Sequence, residues 1–259
     1  FTVNQRGVTT LPYSAYCVDR WVTYRASGSI TAGGVNVTDG NIFQKLEPAL
    51  WGSLVGKTIT VSVMLSTGTV KSDTVASFNG TSASFPTSNC SLGITDAGDY
   101  TLSVYTHGTI RAVKLEIGGV STLANDVAPS YADELRRCQR YFYRLGPRDG
   151  RYTALLNGYS YTTSQARLTA FFPAPMRTAP TVSCDSWPTL YVGDAAGKNI
   201  QLTDSTQVST LVAFGDDAAG TNCQGILLLV SLTDAGLLRY APCLLRSNGT
   251  VNIDFSADL

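Results

Sequence analysis

Residues 58–65 read TITVSVML, and their alternation decides the fold class. Ile59, Val61, Val63 and Leu65 fall on one face of an extended chain, with Thr60, Ser62 and Met64 on the other. Successive side chains of a strand point to opposite sides, so this period of two predicts a half-buried β-strand. Outward from it, similar segments recur about every ten residues, separated by Gly and Asn turns. Residues 18–24 (VDRWVTY) set Val18, Arg20, Val22 and Tyr24 against Cys17, Asp19, Trp21 and Thr23. A turn-rich patch follows at 26–34, and 42–54 is mixed, broken by Pro48. Residues 70–78 and 81–85 flank Asn79-Gly80, a dipeptide suited to a tight hairpin turn. Residues 100–105 and 109–117 read as a hairpin across His107-Gly108. Before them, Asp96 to Tyr100 has the Asp-x-Gly-x-Tyr form of a tyrosine corner, but Leu102 stands where a cysteine belongs, so it reads as an ordinary turn.

The second half repeats the style. Residues 151–156 and 159–172 flank Asn157-Gly158, the strongest hairpin signal in the chain, because both residues tolerate positive φ. Beyond it Ala166, Leu168, Ala170 and Phe172 face one way, and Tyr159, Tyr161 and Thr163 the other. Further strands are expected at 182–184, 190–192, 199–202, 207–214, 225–232 and 252–255. One stretch breaks the pattern: residues 130–145, SYADELRRCQRYFYRL. Tyr131, Leu135, Cys138, Phe142 and Leu145 recur at spacings of four, three, four and three, one stripe of an amphipathic helix. Ser130 and Asp133 mark its start, and Gly146-Pro147 its stop. The stripe either docks on a sheet or forms a short seam against copies of itself. The fold expected is all-β: two jelly-roll-like β-sandwiches, at 1–124 and 147–259, joined by a linker and this one amphipathic helix at 125–146.

Composition narrows the chemistry. Only 15% of the 259 residues are charged and the formal net charge is zero, so no basic surface for nucleic acid is indicated. The apolar run 226–232 is far too short to span a bilayer and reads as a buried strand, so membrane insertion is not expected. The chain opens at Phe1 in mid-pattern and reads as a piece of something longer. None of the six cysteines forms a CxxC or other metal-type pair, and buried thiols in a reducing compartment account for them. His107 is the single histidine, so any Ser–His–Asp or Cys–His system would have to use it, yet it stands beside Gly108 in a turn. No phosphate-binding or dinucleotide fingerprint is present. Catalytic residues, metal ligands and cofactors are therefore not expected. Most carboxylates sit in turn contexts such as Asp39-Gly40; Asp216-Asp217 offers oxygen ligands but lacks regular calcium-loop spacing. Aromatics remain. Trp187, Tyr191, Tyr159 and Tyr161 are the candidate ligand-binding residues, since an aromatic ring beside polar groups can take a sugar's apolar face and its hydroxyls. Trp21 and Trp51 read as core.

Several strings together resemble one family, the C-terminal receptor-binding portions of bacteriophage tail fibres and related virion appendage proteins. FTVNQRG (1–7) and YCVDRW (16–21) resemble the start of a carbohydrate-binding-module-like jelly roll found there, and GKTITVSVMLS (56–66) and IRAVKLEIGGVSTL (110–123) its middle and last strands. YADELRRCQRYFYRL (131–145) is the most specific match; FFPAPMRTAPTVS (171–183) and NIDFSADL (252–259) resemble the next strand block and the chain end. The resemblance implies a homotrimer whose β-rich tip contacts a bacterial surface glycan or protein. It also implies other virion proteins as partners, and a place in the virion after assembly in the host cytoplasm. The family has no shared ligand motif, so no site residue carries over. The same residues also fit a structural virion module, a capsid decoration or fibre shaft without receptor binding. A polysaccharide depolymerase is a further alternative, although no solenoid repeat of the tail-spike kind is seen.

Overall fold

The computed structural model describes residues 3–127, 129–146, 153–184, 189–192, 208–214, 223–232, 239–247 and 252–258. Trp187, the strand expected at 199–202 and Asp216-Asp217 lie outside them. The fold is all-β, with short helices only among the described residues, in two compact units, Phe1–Leu135 and Arg136–Asp258. Among the described residues no helix is long and apolar enough to cross a membrane.

The first unit holds β1 (Trp21–Thr31), β2 (Gly34–Lys45), α1 (Pro48–Leu54), β3 (Ile59–Leu65), β4 (Val70–Val75), β5 (Ala83–Phe85), β6 (Cys90–Ile94), β7 (Tyr100–Val104) and β8 (Gly108–Ile117). The strand order is β4-β3-β8-β2-β7-β6-β5, with β1 on β2. The sheet curls until its two edges meet at Asp73 of β4. That carboxylate accepts the Thr87 N–H (3.1 Å), the Ser88 N–H (2.6 Å) and the Ser88 hydroxyl (2.8 Å), just past β5. Val35, Val37, Ile42, Ile59, Val61, Val63, Phe78, Phe85 and Ile110 fill the interior. Pro48 starts α1 rather than simply breaking a strand, as its preset φ allows. Trp51 on α1 is core: it stacks on Tyr100 (4.8 Å between centroids) and donates Nε1–H to the Gly80 carbonyl (3.0 Å).

Residues 59–65 are a strand, but not a half-buried one: Thr60 and Ser62 are as buried as the valines. Their hydroxyls make this affordable, because each is bonded. Thr60 donates to the Gly118 carbonyl (2.7 Å) and Ser62 to the Ser121 hydroxyl (2.7 Å), from the segment that crosses this face. Other expectations shift. The strand expected from 18 starts at Trp21, after a turn closed by the Trp21 N–H on the Val18 carbonyl (2.9 Å). The patch at 26–34 is mostly strand, a bulged hairpin of β1 with β2. β7 and β8 do not pair with each other; both flank β2. The string at Asp96 to Tyr100 is the β6–β7 turn. Asn79-Gly80 does turn, with Gly80 at φ +84, but it connects opposite edges of the sheet rather than a hairpin.

The second unit pairs two sheets. β10 (Thr153–Ser160), β11 (Gln165–Met176), β13 (Thr189–Val192), β14 (Val208–Phe214), β15 (Cys223–Leu232) and β16 (Pro242–Ser247) run in the order β13-β16-β10-β11-β15-β14. β9 (Phe142–Leu145), β12 (Thr181–Cys184) and β17 (Ile253–Ser256) run β12-β17-β9. Leu168, Phe172 and Met176 from the larger sheet share one core with Ile253 and Phe255 from the smaller, which is sandwich packing.

Two corrections arise here. The amphipathic helix is α2 (Tyr131–Gln139), capped as expected by Ser130, whose hydroxyl accepts the Asp133 N–H (3.2 Å). It stops six residues before Leu145, because Phe142–Leu145 is β9. Aromatic residues favour strands, and here β9 gains a ladder with β17 in which Arg144 lies opposite Asp254. A two-pronged ion pair joins them at 2.7 and 2.6 Å. The stripe of apolar residues was thus shared between a helix and a strand, and the segment expected as a linker supplies one edge of the second unit's smaller sheet. Second, Asn157-Gly158 is not a turn. β10 runs on to Ser160, and the chain reverses at 161–164, where the Tyr161 N–H meets the Gln165 carbonyl (2.8 Å). Gly158 pairs with Leu168, and a Cβ there would lie 1.8 Å from the Arg167 carbonyl oxygen. The glycine serves a close backbone approach, not a reversal.

Gly158→Ala is therefore expected to destabilise the protein by about 1–3 kcal/mol, read as a lowered urea midpoint. Gly93→Ala, where a Cβ meets nothing within 4 Å, should stay within about 0.5 kcal/mol. Equal midpoints for the two variants would contradict this register.

Candidate functional site

Tyr159 and Tyr161 stand at the β10 end of the larger sheet in the second unit, 39% and 38% exposed. Ser160 between them is buried and accepts the Ala241 N–H at 2.9 Å, which fixes the strand end. The ladder sets Arg167 opposite Tyr159, and the Arg167 guanidinium lies 3.6 Å from the centroid of the Tyr161 ring. Phe171, further along β11, is also exposed. Tyr191 belongs to β13, in the row Tyr191–Leu244–Asn157, two residues along β10 from Tyr159. Two of the four expected residues thus share one patch, Tyr191 joins the same sheet, and Trp187 lies outside the described residues. Arg167 was missed, because the misplaced turn concealed its cross-strand partner.

A second feature lies in the first unit, where β2 changes partners. Val35, Asn36 and Val37 pair with β8; Ile42 to Lys45 pair with β7. Opposite this gap β1 bulges between Tyr24 and Gly28, and a bulge re-aims side chains. Arg25 sits at φ +49, uncommon for a residue with a Cβ. Gly40, at φ +69, permits this packing, since a Cβ there would be 2.3 Å from the Arg25 carbonyl oxygen. The result is an open cleft of about 500 Å³ lined by Tyr24, Arg25, Asp39, Asn41, Tyr105 and His107. Tyr24 and Tyr105 are 50% and 42% exposed, and the Arg25 guanidinium lies 5.3 Å from the Tyr24 ring centroid. Three bonds pin residues 105–107. The Tyr105 N–H meets the Asn89 carbonyl (2.9 Å) and the Thr106 hydroxyl the Ser88 carbonyl (2.6 Å). His107 Nε2–H donates to the Gly40 carbonyl (3.2 Å). His107 is thus a strut of the cleft rather than a hairpin residue. Asn41, only 8% exposed, forms part of the cleft wall.

Among the described residues, Asp39 is the one carboxylate lining the cleft. Burial pushes the thiols of Cys17 and Cys243 up to about 11 and that of Cys90 to about 12, so these sulfurs stay protonated near neutrality. No protein-family model matches the chain, and comparison with curated proteins and with solved structures gives no match. The site has to be read from its own residues.

Asp73 supports this region through Ser88. Burial acts to raise its pKa, but hydrogen bonds from Ser88 and Thr87 outweigh that and hold the carboxyl below its ordinary value. A folded-state value below the unfolded one gives stability that is fully present above about pH 4 and is lost as pH falls through the lower folded value. Asp73→Asn should cost about 1–2 kcal/mol near neutrality and flatten the acid limb of the melting temperature against pH. An unchanged acid limb in the variant would contradict this assignment.

Proposed function

We propose that this chain is the distal part of a bacteriophage tail fibre, a non-enzymatic appendage that adsorbs as a homotrimer to a glycan of the bacterial surface. The observation that carries the reading is the patch of Tyr159, Arg167 and Tyr161. An exposed ring with a guanidinium already stacked on it offers an apolar platform and a forked donor, in a geometry held by paired strands. Such pre-organisation reduces the entropy lost on binding. The strings that resemble those of tail fibres suggest the virion context, with other virion proteins as attachment partners. For the trimer, the support is α2: Tyr131 is exposed and Leu135 only half-buried in the single chain, which leaves apolar stripe for a seam. Three copies would turn weak single sites into firm attachment.

Light scattering behind a sizing column should give a mass near three times 27.6 kDa. The double variant Tyr159→Ala/Tyr161→Ala should keep that mass and lose adsorption to bound strains in a panel of bacterial cells by roughly tenfold or more. A monomer without affinity for any bacterial surface would overturn the proposal.

A further inference from the structure

We infer that the cleft at the partner change of β2 is a second sugar site, separate from the tyrosine–arginine patch, that takes one neutral hexopyranose unit. This rests on the glycan-binding reading and names a ligand class and a place for it. The first ground is Asn41. The residue is only 8% exposed and lines the cleft, so its side chain is held in the cleft wall. Its two N–H groups and one carbonyl match a pair of adjacent ring hydroxyls, each of which can donate and accept.

The second ground is the surround. Tyr105 presents a half-exposed ring at the cleft, and an aromatic face suits the C–H side of a pyranose. Asp39 can accept from hydroxyls and Arg25 can donate to them. One carboxylate and one guanidinium balance. An acidic sugar would meet Asp39 and an amino sugar would meet Arg25, so a ligand without charge is favoured. The volume, about 500 Å³, lies in the range of small-ligand sites, and the open form lets a longer glycan continue past the bound unit. The third ground is rigidity. The Tyr105–His107 segment is pinned at three points, and Arg25 is held in a strained conformation by its packing on Gly40. Strain kept by surrounding structure is a recurrent mark of ligand sites.

The test is saturation-transfer NMR with titration of the intact chain. The probes are the methyl glycosides of glucose, galactose and mannose, with N-acetylneuraminic acid and glucosamine as charged comparisons. At least one neutral glycoside should bind saturably. Asn41→Ala and Tyr105→Ala should each weaken it roughly tenfold, while Val120→Ala, at an exposed residue that does not line the cleft, leaves it unchanged. Asn41 is buried, so its variant is first checked by thermal unfolding; Tyr105 is exposed and keeps the test decisive if Asn41→Ala does not fold. Binding of charged sugars alone, binding indifferent to Tyr105→Ala, or no binding would each overturn the inference. Cell adsorption measured on the same proteins separates the two readings. Adsorption without glycoside binding removes this site and leaves the fibre proposal standing. Glycoside binding without adsorption does the reverse.

Discussion

The first unit depends on a single constraint: β2 must leave one neighbour and take another within its own length. β2 pairs with β1, β8 and β7, and the change of outer partner falls at residues 38–41. A strand that changes partner makes a corner, and corners let a sheet curl around a core. Gly40 permits this one, because any side chain there would collide with the Arg25 backbone. The placement of His107 against Gly40 and the shape of the cleft go with that corner. The candidate site is thus a by-product of how the sheet turns, and function would need only suitable side chains around it.

Polar groups are managed differently in the two units. In the first, hydroxyls go into the interior with their partners: Thr60 and Ser62 under the 118–121 segment, Ser88 against Asp73. Each bond adds only about 1 kcal/mol net, but leaving one unmade costs more, so these contacts chiefly exclude alternative arrangements. In the second, register is set by an ion pair and by close packing. Arg144 and Asp254 meet across β9 and β17, while Phe172 and Phe255 join the two sheets at 5.1 Å between centroids. A slip of one residue would turn the buried set Ala166, Leu168 and Ala170 outward.

The fold class was legible because alternation survives almost any arrangement of strands. Ala166, Leu168, Ala170 and Phe172 are buried, and Tyr159 and Tyr161 exposed, as the period of two implied. What failed depended on partners distant in sequence. Asn157-Gly158 has the local form of a turn, but the approach of the Arg167 carbonyl decides its role. Residues 142–145 extend a helical stripe, but β17, more than a hundred positions away, captures them as a strand. The cleft was illegible for the same reason. It gathers Tyr24 and Arg25, Asp39 and Asn41, and Tyr105 and His107 from three segments, and each segment alone reads as an ordinary turn or strand end.

The most direct measurement is hydrogen–deuterium exchange of the intact chain with and without a saturating mixture of neutral methyl hexosides. The account predicts slowed exchange in peptides covering residues 24–41 and 105–108, where the corner of β2 would hold the sugar. Unchanged exchange in both segments would contradict it.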